Sequence, residues 1–209
     1  MATTTSARWA ELDADFQLTD LLGGNPFEII RRDADSPWTV TAPHAVARLD
    51  GGGAAWPADR ATGGLALLLN ELGVARALVT SGRWDADADA VPTHLCPFKS
   101  ILLEQACPTL VLDLHEAGDG HGLHIDVGIR PELVRRPLDG LMTVAENFGY
   151  PVSVRASWSL PGTQRVLDAL HGEGIPALRV GVPTSHLDPW TAPHGASRLV
   201  AMLRTFLEP

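Results

Sequence analysis

The chain has 209 residues, 45% of them hydrophobic and 20% charged, and a formal net charge of −9. That size and balance fit one globular domain, residues 1–209, with a core large enough to fold alone. The negative charge argues against nonspecific nucleic-acid binding and against docking on an anionic membrane, since both need clustered Lys and Arg.

Residues 1–24 read as a peripheral N-terminal arm ending in Gly23-Gly24-Asn25-Pro26. Residues 1–9 lack the apolar core of a signal peptide, and no run of about 18 apolar residues offers a membrane span. A cytoplasmic protein is therefore expected. Strands follow at 27–32 and 38–43, then a flexible loop at Gly51-Gly52-Gly53. Leu65, Leu68, Leu69 and Leu72 recur at helical spacing, which predicts a helix over 59–73 opened by Asp59 and closed by Gly73. A strand at 75–80, an acidic loop carrying Asp85, Asp87 and Asp89, and a helix at 97–106 come next. Cys96 and Cys107 would sit about 16 Å apart along that helix, too far for a disulfide, in keeping with a reducing compartment.

The run Thr109-Leu110-Val111-Leu112-Asp113-Leu114-His115-Glu116 ends in charged groups and predicts a strand over 109–115, buried on both faces. Beyond a glycine-rich loop at 118–124 the pattern gives a strand at 125–129 and a helix at 131–148, with Pro137 near its first turns. Then come a strand at 152–156, a helix at 163–171, a strand at 177–182 and a closing helix at 196–207. Strands alternating with helices imply a three-layer α/β/α fold around a mostly parallel mixed sheet. Ligands of such sheets bind beyond the carboxyl ends of the strands, where His44 and His115 are both expected.

His44, Asp59 and His115 thus form a candidate metal triad. Imidazole nitrogen and carboxylate oxygen suit Zn²⁺, and three protein ligands leave a fourth position for water, whose pKa zinc lowers. Asp113 shares the strand face of His115 and is placed to orient it. Glu116 beside them is a candidate general base. Asp126 with Arg130 is a candidate pair for anchoring substrate. His121 and His124 lie in a loop able to close over a site. Each residue also has a plainer reading: a hydrogen-bonded structural histidine, a helix cap, a solvated glutamate, a local salt bridge.

In order along the chain stand Pro43-His44, the stretch Ala58-Asp59-Arg60-Ala61-Thr62-Gly63-Gly64, Arg83 with Asp87 and Asp89, Pro97-Phe98-Lys99, Leu112-Asp113-Leu114-His115 and Asp126-Val127-Gly128. This set resembles the N-formylglutamate amidohydrolase-like family, relatives of the zinc carboxypeptidases with a phosphorylase/hydrolase-like fold. The resemblance covers mainly residues 38–130. It implies a zinc hydrolase of carbon–nitrogen bonds with His44, His115 and Asp59 on the metal, and Arg83, Arg130 and Lys99 as candidates for holding a substrate carboxylate. It also exposes a departure: Gly181 stands where such proteins carry a late glutamate as base.

The reading is a zinc-dependent amidohydrolase acting on a small-molecule or peptide-like substrate. Its catalytic residues are Glu116, Arg130 and Arg83, and its substrate-binding residues Lys99, Asp126 and His124. Gly181 keeps two alternatives open: a metal-dependent biosynthetic enzyme (condensation, cyclisation or transfer), or a noncatalytic binding protein on the same fold.

Overall fold

The computed structural model describes residues 4–21, 28–49, 55–82, 92–105, 110–118, 122–155 and 165–208. Seven strands form one sheet in the order β1-β5-β2-β6-β9-β7-β8. They are β1 (Ile29–Arg32), β2 (Trp38–Ala42), β5 (Arg76–Thr80), β6 (Leu110–Glu116), β7 (Leu123–Asp126), β8 (Val152–Arg155) and β9 (Ala177–Val182). A separate two-stranded ribbon pairs β3 (Arg48–Leu49) with β4 (Ala55–Trp56). Strands β5, β2, β6 and β9 run parallel. β1 is antiparallel to β5, and β7 is antiparallel to β9, with β8 parallel to β7.

Helices α1 (Thr5–Leu21), α2 (Thr62–Glu71), α4 (Arg135–Asn147) and α6 (Pro193–Leu207) cover one face. Their Trp9, Leu65, Leu141 and Leu199 meet Val40, Leu112, Leu114 and Val180 in the larger core. Helices α3 (Pro97–Gln105) and α5 (Val166–Gly172) cover the other face. There Phe98, Leu102, Val166 and Leu170 pack on Leu78, Val111 and Ala177. This is the expected three-layer arrangement. No helix among the described residues is long and apolar enough to cross a membrane.

Successive strand residues point to opposite faces. On β6 this sends Leu110, Leu112, Leu114 and Glu116 toward the larger core side and Val111, Asp113 and His115 toward α3 and α5. Buried neighbours accompany the polar residues on the second face: Thr39, Thr41 and Thr80 come from the flanking strands.

Two expectations need correction. The N-terminal segment is no peripheral arm: Trp9 is fully buried and its indole N–H donates to Ala61 O at 2.9 Å. Helix α1 also packs closely on α2, because Gly64 presents no side chain: a Cβ there would stand 2.9 Å from the Asp13 backbone nitrogen. Second, α2 begins at Thr62, and its cap is Ala61, held in the left-handed region at φ 53°. Asp59 therefore lies before the helix and does not cap it.

Candidate metal centre

Strand β2 delivers His44 two residues beyond its end, where the Thr80 hydroxyl donates to Pro43 O at 2.9 Å and holds the turn. The Asp59 amide donates to His44 O at 2.8 Å, which ties the 57–61 segment to that turn. Strand β6 delivers His115. His44, Asp59 and His115 each bring one ligand atom within 4.8 Å of the others. Asp59 Oδ2 lies 2.8 Å from His115 Nδ1 and 3.6 Å from His44 Nδ1. The two imidazoles meet edge to face with centroids 4.8 Å apart.

The donor set could hold a metal ion. Ligand atoms about 2.0–2.1 Å from a tetrahedral ion stand about 3.3 Å apart, and the two separations from Asp59 Oδ2 lie on either side of that value. The second nitrogen of His115, Nε2, donates to Asp113 Oδ2 at 2.9 Å. That bond leaves Nδ1 to face Asp59 and His44, the carboxylate–histidine arrangement that orients metal-binding imidazoles. Asp113 is fully buried and is itself held: Thr41 Oγ1 donates to Oδ1 at 2.7 Å and Arg179 Nε to Oδ2 at 3.3 Å.

The electrostatics follow. Burial and the Arg179 charge pull the His115 pKa down, but Asp113 and Asp59 outweigh them and raise it to about 9. Burial alone would raise Asp59. Hydrogen bonds from His115 and His44 instead hold its carboxyl well below the usual carboxylate range.

The remaining expected site residues separate. Glu116 leaves the strand on the face opposite His115. Its Oε2 accepts from the Arg60 amide at 3.1 Å and its Oε1 from Thr184 Oγ1 at 2.6 Å. These bonds tie the carboxylate to the Asp59–Arg60 segment and to Thr184. Arg130 needs correction. Because β7 runs antiparallel to β9, it carries Arg130 to the end of the sheet opposite His44 and His115. There Arg130 donates to His171 O at 3.2 Å and pairs with Glu132. Asp126 pairs with Arg165 at 2.9 Å, not with Arg130.

His124 lies opposite Gly181, which in turn lies opposite His115. The three form one row across the second face, and His124 Nδ1 contacts Ser153 Oγ at 2.8 Å. A Cβ at Gly181 would come 2.9 Å from Ala117 Cβ and 3.4 Å from His124 Cβ, so the chain has no room there for a glutamate without a shift. Lys99 is buried on α3, the helix covering this face. Arg83, the acidic loop at 85–89, Cys107 and His121 lie outside the described residues.

Sequence reasoning missed Thr41 and Arg179, the partners of Asp113. Arg179 carried a signal: a cation inside the apolar run 177–182 of a central strand needs a buried counter-charge.

No protein-family pattern and no curated protein matches the chain in sequence. Among solved structures, a bacteriophage poly-gamma-glutamate hydrolase superposes with a TM-score of 0.51 at 11% identity, over 86% of this chain and 87% of its own. The N-acetylmuramyl-L-alanine amidase Ami1 from Mycobacterium smegmatis gives 0.50 at 10% identity, over 83% and 97%. What these similarities share with this chain is the α/β fold.

Proposed function

We propose that the chain is a zinc-dependent hydrolase that cleaves an amide bond of a small acylated amino acid or peptide-like substrate. One observation carries the reading: three ligand atoms from His44, Asp59 and His115 converge at the carboxyl edge of the sheet, with Asp113 behind His115. The hydrolase and amidase names of the two fold neighbours, and the resemblance to the N-formylglutamate amidohydrolase-like family, support it.

His44, Asp59 and His115 would hold the metal, which supplies polarisation of a carbonyl and acidification of water. Asp113 keeps the His115 ring in one orientation and one tautomer. Glu116 holds the segment that carries Asp59. His124, across the open floor at Gly181, would move a proton on the His115 face. The bare floor also favours a second reading, in which the site transfers an acyl group to an amine instead of to water. Lys99 and Arg83 remain candidates for holding a substrate carboxylate.

The test is a panel of N-acyl amino acids and dipeptides incubated with the zinc-loaded protein, with and without an added amine, alongside zinc-affinity measurements. Metal-dependent release of the free amine, lost together with zinc binding in His115→Ala, supports hydrolysis. Amide exchange without hydrolysis selects the transfer reading. Tight zinc binding by His115→Ala sinks both.

A further inference from the structure

A cleft of about 520 Å³ is lined in part by residues that adjoin the metal ligands along the chain. Its lining interleaves with the metal centre along the chain. Ala45 follows His44, Ala58 and Arg60 flank Asp59, and Thr184 bonds the Glu116 that follows His115. The volume lies in the range of small-ligand sites.

The lining is part apolar and part polar. Phe16, Leu187 and Trp190 line it, and Trp190 is 46% exposed. A large aromatic left in contact with water beside a concave surface is suited to stacking on an apolar ligand group. Three charged side chains border the space. Asp188 is taken up by its own turn: its Oδ1 accepts from the amides of Trp190 and Thr191 at 3.0 and 2.7 Å, and its Oδ2 accepts from the Thr191 hydroxyl. Asp13 is buried at 2% exposure and accepts from Gln17 Nε2 at 3.1 Å. Arg60 is exposed, feels Asp188 only at a distance, and its guanidinium makes no hydrogen bond among the described residues. Its backbone is fixed by Glu116, so the side chain projects from a rigid base. A guanidinium beside an apolar wall selects a planar anion, since it grips a carboxylate through two parallel hydrogen bonds.

We propose that this cleft is the substrate-selecting site: it holds an aromatic or branched aliphatic group whose carboxylate lies on Arg60. The proposal rests on the amidohydrolase reading for what the ligand is, a part of the amide substrate. It rests on the cleft alone for the ligand's chemistry.

The test is calorimetric titration of the full chain with N-acetyl-L-phenylalanine and with its uncharged carboxamide, in the wild type, Arg60→Gln, Trp190→Ala and His115→Ala. The acid is expected to bind at least tenfold tighter than the carboxamide. Arg60→Gln, on an exposed side chain, should erase that preference while leaving the carboxamide's affinity in place. Trp190→Ala should weaken both. His115→Ala should lose zinc and keep the preference. Selective binding without turnover of any amide supports this site and overturns the hydrolase reading. Turnover with equal affinity for acid and carboxamide overturns this site and leaves the hydrolase reading standing. No binding of either probe at millimolar concentration, or an unchanged preference in Arg60→Gln, also overturns it.

Discussion

Replacing Asp113 tests how the metal centre is built. Its carboxylate is fully buried and accepts from Thr41, His115 and Arg179 at 2.7, 2.9 and 3.3 Å. In Asp113→Ala the His115 ring loses the acceptor that fixes its tautomer, and loss of such a partner typically lowers metal affinity 10–100-fold. That range corresponds to about 1.4–2.8 kcal/mol. The same change removes a buried partner of the Arg179 charge. Breaking a buried pair costs about 3–5 kcal/mol, and the lower end applies because Arg179 keeps some contact with solvent, its side chain being 17% exposed. Asp113→Asn keeps an oxygen for the His115 N–H and removes only the charge, so it should fall between wild type and alanine on both scales. Zinc affinity is read by competition with a chromophoric chelator, and stability by urea denaturation of the same samples. A folded Asp113→Ala with wild-type zinc affinity would refute the orienting role. Equal effects of Asn and Ala on zinc affinity would show that charge, not orientation, is what His115 needs.

Three further outcomes follow from the packing. Gly64→Ala should cost about 1–3 kcal/mol in thermal or urea unfolding, because its Cβ would meet the Asp13 backbone where α1 crosses α2; an unchanged midpoint contradicts the close crossing. Gly181→Glu should destabilise by a similar amount through its 2.9 Å approach to Ala117 Cβ, and the assay is the same. His171 is fully buried. Its Nδ1 accepts from the Arg130 amide at 3.2 Å and its Nε2 donates to Ala177 O at 3.0 Å, so only the neutral ring serves both partners. Burial, aided by Arg130, holds its pKa below the ordinary 6.5 against the pull of Ala177 O, Asp168 and Glu132. The unfolded chain therefore takes up a proton that the folded one resists, and stability falls as pH drops below about 6.5. Between pH 7.5 and 5.5 the wild type should lose more unfolding free energy than His171→Gln, and equal losses would contradict the assignment.

The parts of this molecule that local pattern encodes were legible in the sequence. The run at 109–114 ending in His115, the leucine spacing of α2 and the alternation of strands with helices lead to the parallel centre of the sheet and to two histidines at one edge. Glu116 reads as beside His115, although neighbours on a strand face opposite sides. What was not legible depended on long-range choices. The buried stripe of α1 runs Trp9, Asp13, Phe16, and the charge in its middle hides the amphipathic signal. The direction of β7 is set by its pairing with β9, and a four-residue strand carries no mark of it, so Arg130 read as near the site when it lies at the far end. Arg60 gave no signal beyond its place after Asp59.

The central claim is a metal held by His44, Asp59 and His115. Equilibrium dialysis against zinc, with metal quantified per chain in the wild type and in His44→Ala, Asp59→Ala and His115→Ala, tests it most directly. One zinc per chain in the wild type, with its loss in each variant while circular dichroism shows the fold retained, is the predicted result. A wild type that takes up no zinc, or three variants that bind it as the wild type does, would contradict the account.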